Sequence, residues 1–478
     1  MSADPAPSNV DPSSAGTAWQ ELNDPEHRCR IYQRGQHHRG SFVRVYVPYS
    51  AEQPGQPLRL ILYLHGFALC LPSFYQAHLL ELVSQGWIVV FPDFQCSGYE
   101  EEPLDGAAAL AGRPAPDWWP TTRRLLRQGG AQPLRRQDMP EAMAGAIDGA
   151  EGAERAEELA LASSLPELQV GDLRRVLLPW LLIRLVLGVI GWFRRSYARN
   201  LSQLISTVLL SLAFAPKHWL RHAQSQTEAA WNDLASLPRY GHWSNGPDAF
   251  YGFGHSLGGL LSLSLPSLDS DNAPQSQFQP QVILAADPAT STEMGIPGFA
   301  IALLKLFHAP FTAEPLAIQQ TGPRISQPTV IMHGLDDTLV PPQLWAVQGG
   351  GGAFPSIAAT AKALYFASSN RQLNPSLVAF HNQAVTSTQY YDNALFESFG
   401  GVKDGPNPYN TAWIWPALRA LFADGVAPEQ LLAHLPADRP FAVSSDPPPP
   451  KRRLGFGLVA AALLVAVLLL LVWRRAGG

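Results

Sequence analysis

The stretch Asp248–Leu265, DAFYGFGHSLGGLLSLSL, decides how the chain is read. Its first part is apolar and aromatic, the pattern of a buried strand, and its last part is a leucine-rich run that reads as a helix. Gly254-x-Ser256-x-Gly258 occupies the junction. A serine on a sharp strand-to-helix turn stands above the end of a sheet, and its neighbours two residues away must be small for the backbone to turn. The N-terminus of the following helix also favours negative charge developing nearby. The junction therefore predicts Ser256 as a nucleophile on an elbow formed with Gly254 and Gly258.

Working outward, eight strand-like runs are expected: Cys29–Gln33, Ser41–Pro48, Leu58–Leu64, Trp87–Asp93, Asp248–Gly254, Gln281–Ala286, Thr329–Met332 and Ala363–Ser368. The first two flank a short turn and read as an antiparallel pair. Runs such as LRLILYL and WIVVF are apolar throughout, as strands covered on both faces are. Helical stretches separate most of them, which predicts a mostly parallel α/β sheet.

The ends of the chain read differently. The first residues are polar and rich in Pro and Ser, without the basic start and apolar run of a secretory signal, and residues 1–27 are expected to be a disordered tail. Leu454–Trp473 holds 20 residues without a charge between Lys451-Arg452-Arg453 and Arg474-Arg475. As a helix it would measure about 30 Å, the thickness of a bilayer core. A single-pass anchor is expected there, behind a stiff Pro-rich linker over 441–453, and the missing signal sequence favours a cytoplasm-facing domain. The formal net charge of −5 argues against a protein that coats nucleic acid. Three cysteines (Cys29, Cys70, Cys96) cannot form a disulfide framework, and Cys70 and Cys96 are expected to be buried thiols. No metal-ligand spacing is present.

Between the fourth and fifth runs lie 148 residues, Glu100 to Pro247. The stretch Thr227–Leu237 reads as a helix returning to the fold, and residues 100–222 as an inserted cap. Within it, residues 173–222 hold eight Arg or Lys and no Asp or Glu, together with Trp180, Trp192, Trp219 and long apolar runs. One membrane crossing here would divide the sheet between two sides of the bilayer. An apolar, basic surface lying in the membrane interface is expected instead, with a buried helical cap as the alternative. The core then comprises 28–99 and 223–440, and the anchor 454–473.

Taken together, the strand order, LYLHGF (62–67), GFGHSLGG (252–259) and MHGLDDTLVPP (332–342) resemble the α/β-hydrolase superfamily, in particular its serine esterases and lipases. The resemblance spans residues 28 to 385, interrupted by the insertion. It implies an eight-stranded α/β-hydrolase fold and an oxyanion hole made by the backbone N–H groups of Phe67 and Leu257. His65 reads as a structural loop residue. The motif Gly-x-x-Asp-x-x-Val-Pro matches Gly334 to Pro341 and selects Asp337 as the triad acid over Asp336, which reads as a turn residue. Asp287, after the sixth run, is the runner-up. The order nucleophile, acid, histidine requires a late base. His381 follows the eighth run closely, while His434 suits the surface, and His255 and His333 suit structural roles.

These residues imply a serine hydrolase acting through an acyl-enzyme, with neither cofactor nor metal. The apolar tail and cap suggest a membrane-anchored enzyme whose partners are an apolar or lipid-like ester and the bilayer. Acyl transfer by the same triad and a non-catalytic binding module on this fold are the alternatives.

Overall fold

The computed structural model describes residues 18–104, 214–268, 278–388 and 402–449, apart from positions 38, 39, 96, 98, 100, 101, 295, 297–300, 303 and 306–309. The expected anchor 454–473 and the basic apolar stretch up to residue 213 lie outside the described residues. Among the described residues no helix is long and apolar enough to cross a membrane.

All eight expected strands form, and two more join them. The strands are β1 (Gln20–Asp24), β2 (Cys29–Arg34), β3 (Val43–Pro48), β4 (Arg59–Leu64), β5 (Ile88–Pro92), β6 (Ala249–His255), β7 (Val282–Ala286), β8 (Thr329–Gly334), β9 (Lys362–Ala367) and β10 (Val443–Ser444). They make one sheet in the order β1-β2-β3-β5-β4-β6-β7-β8-β9-β10. From β5 to β9 the pairings are parallel, whereas β1, β2, β3 and β10 join antiparallel. This is the α/β-hydrolase fold, and β6 sits at its centre.

The continuous apolar runs follow from burial on both faces. In β4 Leu60, Leu62 and Leu64 enter one core while Ile61 and Tyr63 enter the other. Because successive side chains alternate across a strand, a strand with a core on each side has no polar position to spare. One face is covered by α2 (Pro216–Ala235) and α3 (Leu257–Ser264). The other is covered by α1 (Gln76–Ser84) and by helical turns over residues 410–423.

Three expected boundaries are corrected. Residues 20–24 belong to the sheet rather than to a tail: β1 pairs along its length with β2, and Glu21 meets Arg30 at 2.9 Å and Arg239 at 2.8 Å. Its sequence, QELND, is polar because an edge strand is held by backbone bonds and exposes its side chains. Residues 441–449 are likewise packed rather than a free spacer. Phe441 is buried, β10 pairs with β9, and the carbonyls of Pro448 and Pro449 accept from Gln348 N and Gln343 Nε2. Proline lacks a donor but keeps its acceptor, so a proline run can still be tied down.

The third correction concerns the end of the insertion. Helix α2 begins at Pro216, not after residue 222, and Trp219, Leu220, Ala223, Ala230, Trp231 and Leu234 form its buried stripe at helical spacing. Trp219, expected on a membrane-facing surface, is 1% exposed in the core, and Lys217 pairs with Glu314 at 3.7 Å on the outside. A Trp-rich basic segment has the same composition whether its apolar side meets lipid or protein.

This packing predicts that Trp219→Ala lowers stability by about 3–5 kcal/mol, as large-to-small changes in a core do. Lys217→Gln should change it by no more than about 0.5 kcal/mol. Urea unfolding would measure both, and an unchanged midpoint for Trp219→Ala would contradict the core position of α2.

Candidate active site

Strand β6 ends at His255, and the next residue turns sharply. Ser256 has φ 56° and ψ −118°, a left-handed conformation that side chains seldom adopt. Its N–H donates to Ala286 O at 3.0 Å, and its own carbonyl accepts from Leu260 N and Ala289 N at 3.1 and 3.0 Å. The flanking glycines are required by close approach. A Cβ on Gly254 would lie 2.1 Å from Gly258 O, and one on Gly258 would lie 2.3 Å from Leu64 O.

The structure brings the expected Ser256, His381 and Asp337 together. His381 Nε2 lies 2.6 Å from Ser256 Oγ, and His381 Nδ1 lies 2.7 Å from Asp337 Oδ2. The second carboxylate oxygen accepts from the N–H groups of Leu339 and Val340 at 2.8 and 2.9 Å. Burial alone would raise the Asp337 pKa, but the charge and hydrogen bond of His381 outweigh it and hold the carboxyl low. Burial likewise works against a charged His381, and the Asp337 carboxylate overcomes it and raises the imidazole pKa. The loop after β8 therefore offers an ionised acid, as a carboxylate fed by two backbone amides and an imidazole should be.

Asp287 takes no direct part in this chain. Its Oδ1 accepts from Gly334 N at 2.9 Å and from Gln383 Nε2 at 2.8 Å, while Oδ2 is buried without a hydrogen bond. Burial and then the neighbouring Asp337 charge raise its pKa far above the carboxylate range, so it is held as the neutral acid. Asp336 binds the Ser369 hydroxyl at 2.6 Å and orients a loop, and His434 is a surface residue bonded to Gln430 O. His333 is buried and sits 2.8 Å from Val340 O.

The expected oxyanion donors lie on adjoining segments. Gly258 N donates to His65 O at 3.1 Å, which docks the start of α3 against the loop after β4. The Phe67 peptide is pinned on both sides. Before it, Gly66 N donates to Tyr75 Oη at 2.9 Å. After it, Ala68 N donates to Gln95 Oε1 at 2.9 Å and Ala68 O accepts from Tyr99 Oη at 2.8 Å. Gln95 in turn follows Asp93, a buried carboxylate that gathers His37 Nδ1 at 2.8 Å and the amides of Gln95 and Ser97.

His255, read as structural, has a defined task. Tyr75 Oη accepts from Gly66, so its own proton goes to His255 Nδ1 at 2.9 Å. His255 Nε2 then carries the ring proton and donates to His381 O at 2.6 Å. Burial lowers the His255 pKa to about 3, so the ring stays neutral. One hydrogen-bonded strut thus runs from Gly66, in the loop after β4, through Tyr75 and His255 to the backbone of His381. Its histidine adjoins the motif in sequence, but nothing local marks Tyr75 or Gln95.

Two buried groups offer metal-ligand atoms within 4.8 Å of one another: His37, Cys70 and Asp93, and Asp287, His333 and Asp337. Hydrogen bonds already engage both. Asp93 is shared by His37 and Ser97, Cys70 Sγ donates to Ser97 Oγ at 2.7 Å, and Asp337 is committed to His381. Burial raises the Cys70 pKa well above the usual thiol range, and Cys29 rises to about 12, which suits inert buried thiols. Cys96 lies outside the described residues.

No family model matches the chain, and no curated protein does. Among solved structures it is similar to an acetyl xylan esterase from Paenibacillus sp. R4, at 16% identity over 73% of this chain and 81% of that one, with a TM-score of 0.33. An acetyl xylan esterase from Thermoanaerobacterium sp. JW/SL YS485 gives 12% identity over 73% and 80%, also with a TM-score of 0.33. An S-formylglutathione hydrolase from Agrobacterium tumefaciens gives 13% over 73% and 89%, with a TM-score of 0.30. Likeness at this level leaves the reading of the site to its own geometry.

Tyr75→Phe tests the strut. It strands the Gly66 N–H and His255 Nδ1 in a buried place, at a cost of about 1–3 kcal/mol. Labelling of Ser256 by a fluorophosphonate should slow about tenfold, the rate equivalent of about 1.4 kcal/mol. Labelling at the parent rate would show that the strut does not hold the site.

Proposed function

We propose that this chain is a serine hydrolase that cleaves carboxylic esters through an acyl-enzyme. The observation that carries the reading is the unbroken chain Ser256 Oγ–His381–Asp337, at 2.6 and 2.7 Å, mounted on a strained elbow.

The order of events in this reading follows from the chemistry of the three groups. Asp337 accepts the Nδ1 proton, so the Nε2 lone pair of His381 faces the serine hydroxyl and takes its proton as Oγ attacks the ester carbonyl. The oxyanion forms where the N–H groups of Phe67 and Leu257 stabilise charge that the ground state lacks. His381, now cationic beside Asp337, returns the proton to the leaving alcohol. Water then enters and loses a proton to His381 as it attacks the acyl carbonyl, and His381 returns that proton to Ser256 Oγ as the acid leaves.

The apolar run 454–473 and the basic, apolar sequence of residues 173–213 support a narrower reading, a membrane-anchored enzyme acting on lipid-like esters. The Phe67 side chain, 38% exposed on the oxyanion loop, supports an apolar substrate. Hydrolysis of p-nitrophenyl esters of increasing chain length, with and without detergent micelles, tests this reading. A preference for acetyl over longer chains in both conditions would remove the lipid-like substrate. Product that appears only when an alcohol or thiol is added would replace hydrolysis with acyl transfer.

Ser256→Ala should abolish turnover while leaving the fold intact, and His381→Ala should cost on the order of 10⁴-fold or more in kcat. The pH profile follows from the charges. Since Asp337 raises the pKa of His381, the acid limb of kcat/KM should have its midpoint above the ordinary histidine value of about 6.5. Asp337→Asn removes that charge, so its residual activity should show an acid limb at lower pH. A limb that stays in place in the Asn variant would assign it to another group.

A further inference from the structure

Lys403 is a buried cation that the triad chemistry leaves unused. It is 6% exposed and forms no ion pair among the described residues. Burying an ammonium without a partner is costly unless its protons are all engaged. Here they are: Nζ donates to Asn382 O at 2.9 Å, Gln383 O at 3.2 Å and Val385 O at 2.8 Å. An ammonium has three N–H groups, and three carbonyls receive them.

These carbonyls belong to the residues that follow His381. The same turn is secured by Asn410 Nδ2, 2.9 Å from Gln383 O. It is secured also by Thr388, whose N–H donates to Lys403 O and whose hydroxyl accepts from Lys403 N, both at 2.8 Å. On the other side His255 holds the His381 carbonyl itself. His381 is therefore gripped before and after its own peptide, and the segment is tied further along by Thr386 N, which donates to Phe74 O at 2.7 Å.

We propose that Lys403 is a positioning residue of this site, whose charged ammonium clamps residues 382–385 and so aims the His381 imidazole at Ser256. The inference rests on the serine-hydrolase reading of that site. The clamp depends on protonation, because a neutral amine has two N–H groups and a lone pair, which repels the third carbonyl. Among the described residues, the titratable groups around Nζ are Asp287 at the end of β7 and His255 at the end of β6. Burial lowers the Lys403 pKa to about 7, and Asp287 opposes this only where its carboxyl is ionised. Proton loss on the alkaline side therefore loosens the clamp, while proton gain on the acid side disables His381.

The test is the pH dependence of ester hydrolysis by the full chain. The parent should show an alkaline fall in kcat with little change in KM. Lys403→Met should lower kcat at the optimum by about 10²-fold, the scale of a slightly misplaced catalytic group, and should lose the alkaline fall. Lys403→Arg keeps a charge that does not titrate. It should recover part of the rate and also lack the fall, and it carries the test if the Met variant does not fold. Asp287→Asn should keep the fall. An alkaline limb shared by the parent and the Met or Arg variant overturns the clamp, as does its loss in Asp287→Asn alone. A parent protein that hydrolyses no ester and takes no fluorophosphonate label fails instead at the serine-hydrolase reading.

Discussion

Ser256 holds a backbone conformation that costs about 1–3 kcal/mol, and much of the surrounding architecture keeps it there. The turn is fixed from three directions: by Ala286 at the end of β7, by Leu260 in α3, and by Ala289 in the loop after β7. It also needs the central position of β6. A neighbour on either side supplies close backbone contact, β4 through Leu64 against Gly258 and β7 through Ala286 against Ser256. At a sheet edge one of these supports would be missing. Docking Gly258 on His65 simultaneously brings the loop with Phe67 beside the start of α3, so the same strained turn that lifts the hydroxyl also assembles the expected oxyanion donors.

The two acids illustrate how environment sorts residues of one type. Asp287 and Asp337 are both buried beside His333, and two carboxylates so close do not both ionise readily. Asp337 receives two backbone amides and the imidazole, whereas Asp287 receives one amide and one side-chain amide on a single oxygen. The negative charge therefore settles on Asp337. Neutral Asp287 still serves, because its bond to Gln383 steadies the turn that carries His381.

How much of this was legible in the sequence depended on the length scale of the signal. The eight strands were visible because burial on both faces leaves an apolar run, and the elbow because its glycines answer clashes between neighbouring residues. Gln20–Asp24 and Val443–Ser444 were missed since edge strands draw on backbone bonds and leave no apolar pattern. The start of α2 was missed because a Trp-bearing basic segment reads alike against lipid and against protein. Ser256, Asp337 and His381 were found through local motifs and chain order. Tyr75, Gln95 and Lys403 had no such mark: each matters for what lies opposite it in space, after long-range folding has joined distant loops.

That distinction bears on His381, which is held by two different devices. In the proposed reaction His381 becomes a cation, and a fixed charge in direct contact with its peptide would oppose that step. The group touching the His381 carbonyl is accordingly neutral: burial holds His255 uncharged, and the nearby cations push it further the same way. The charged device stands one residue further along, where Lys403 meets carbonyl oxygens rather than the imidazole. An ammonium bound by three carbonyls gives a firmer hold than a single neutral hydrogen bond, because hydrogen bonds to charged groups are stronger. The neutral contact meets the His381 carbonyl without adding a charge there, and the charged one ties the carbonyls of residues 382, 383 and 385.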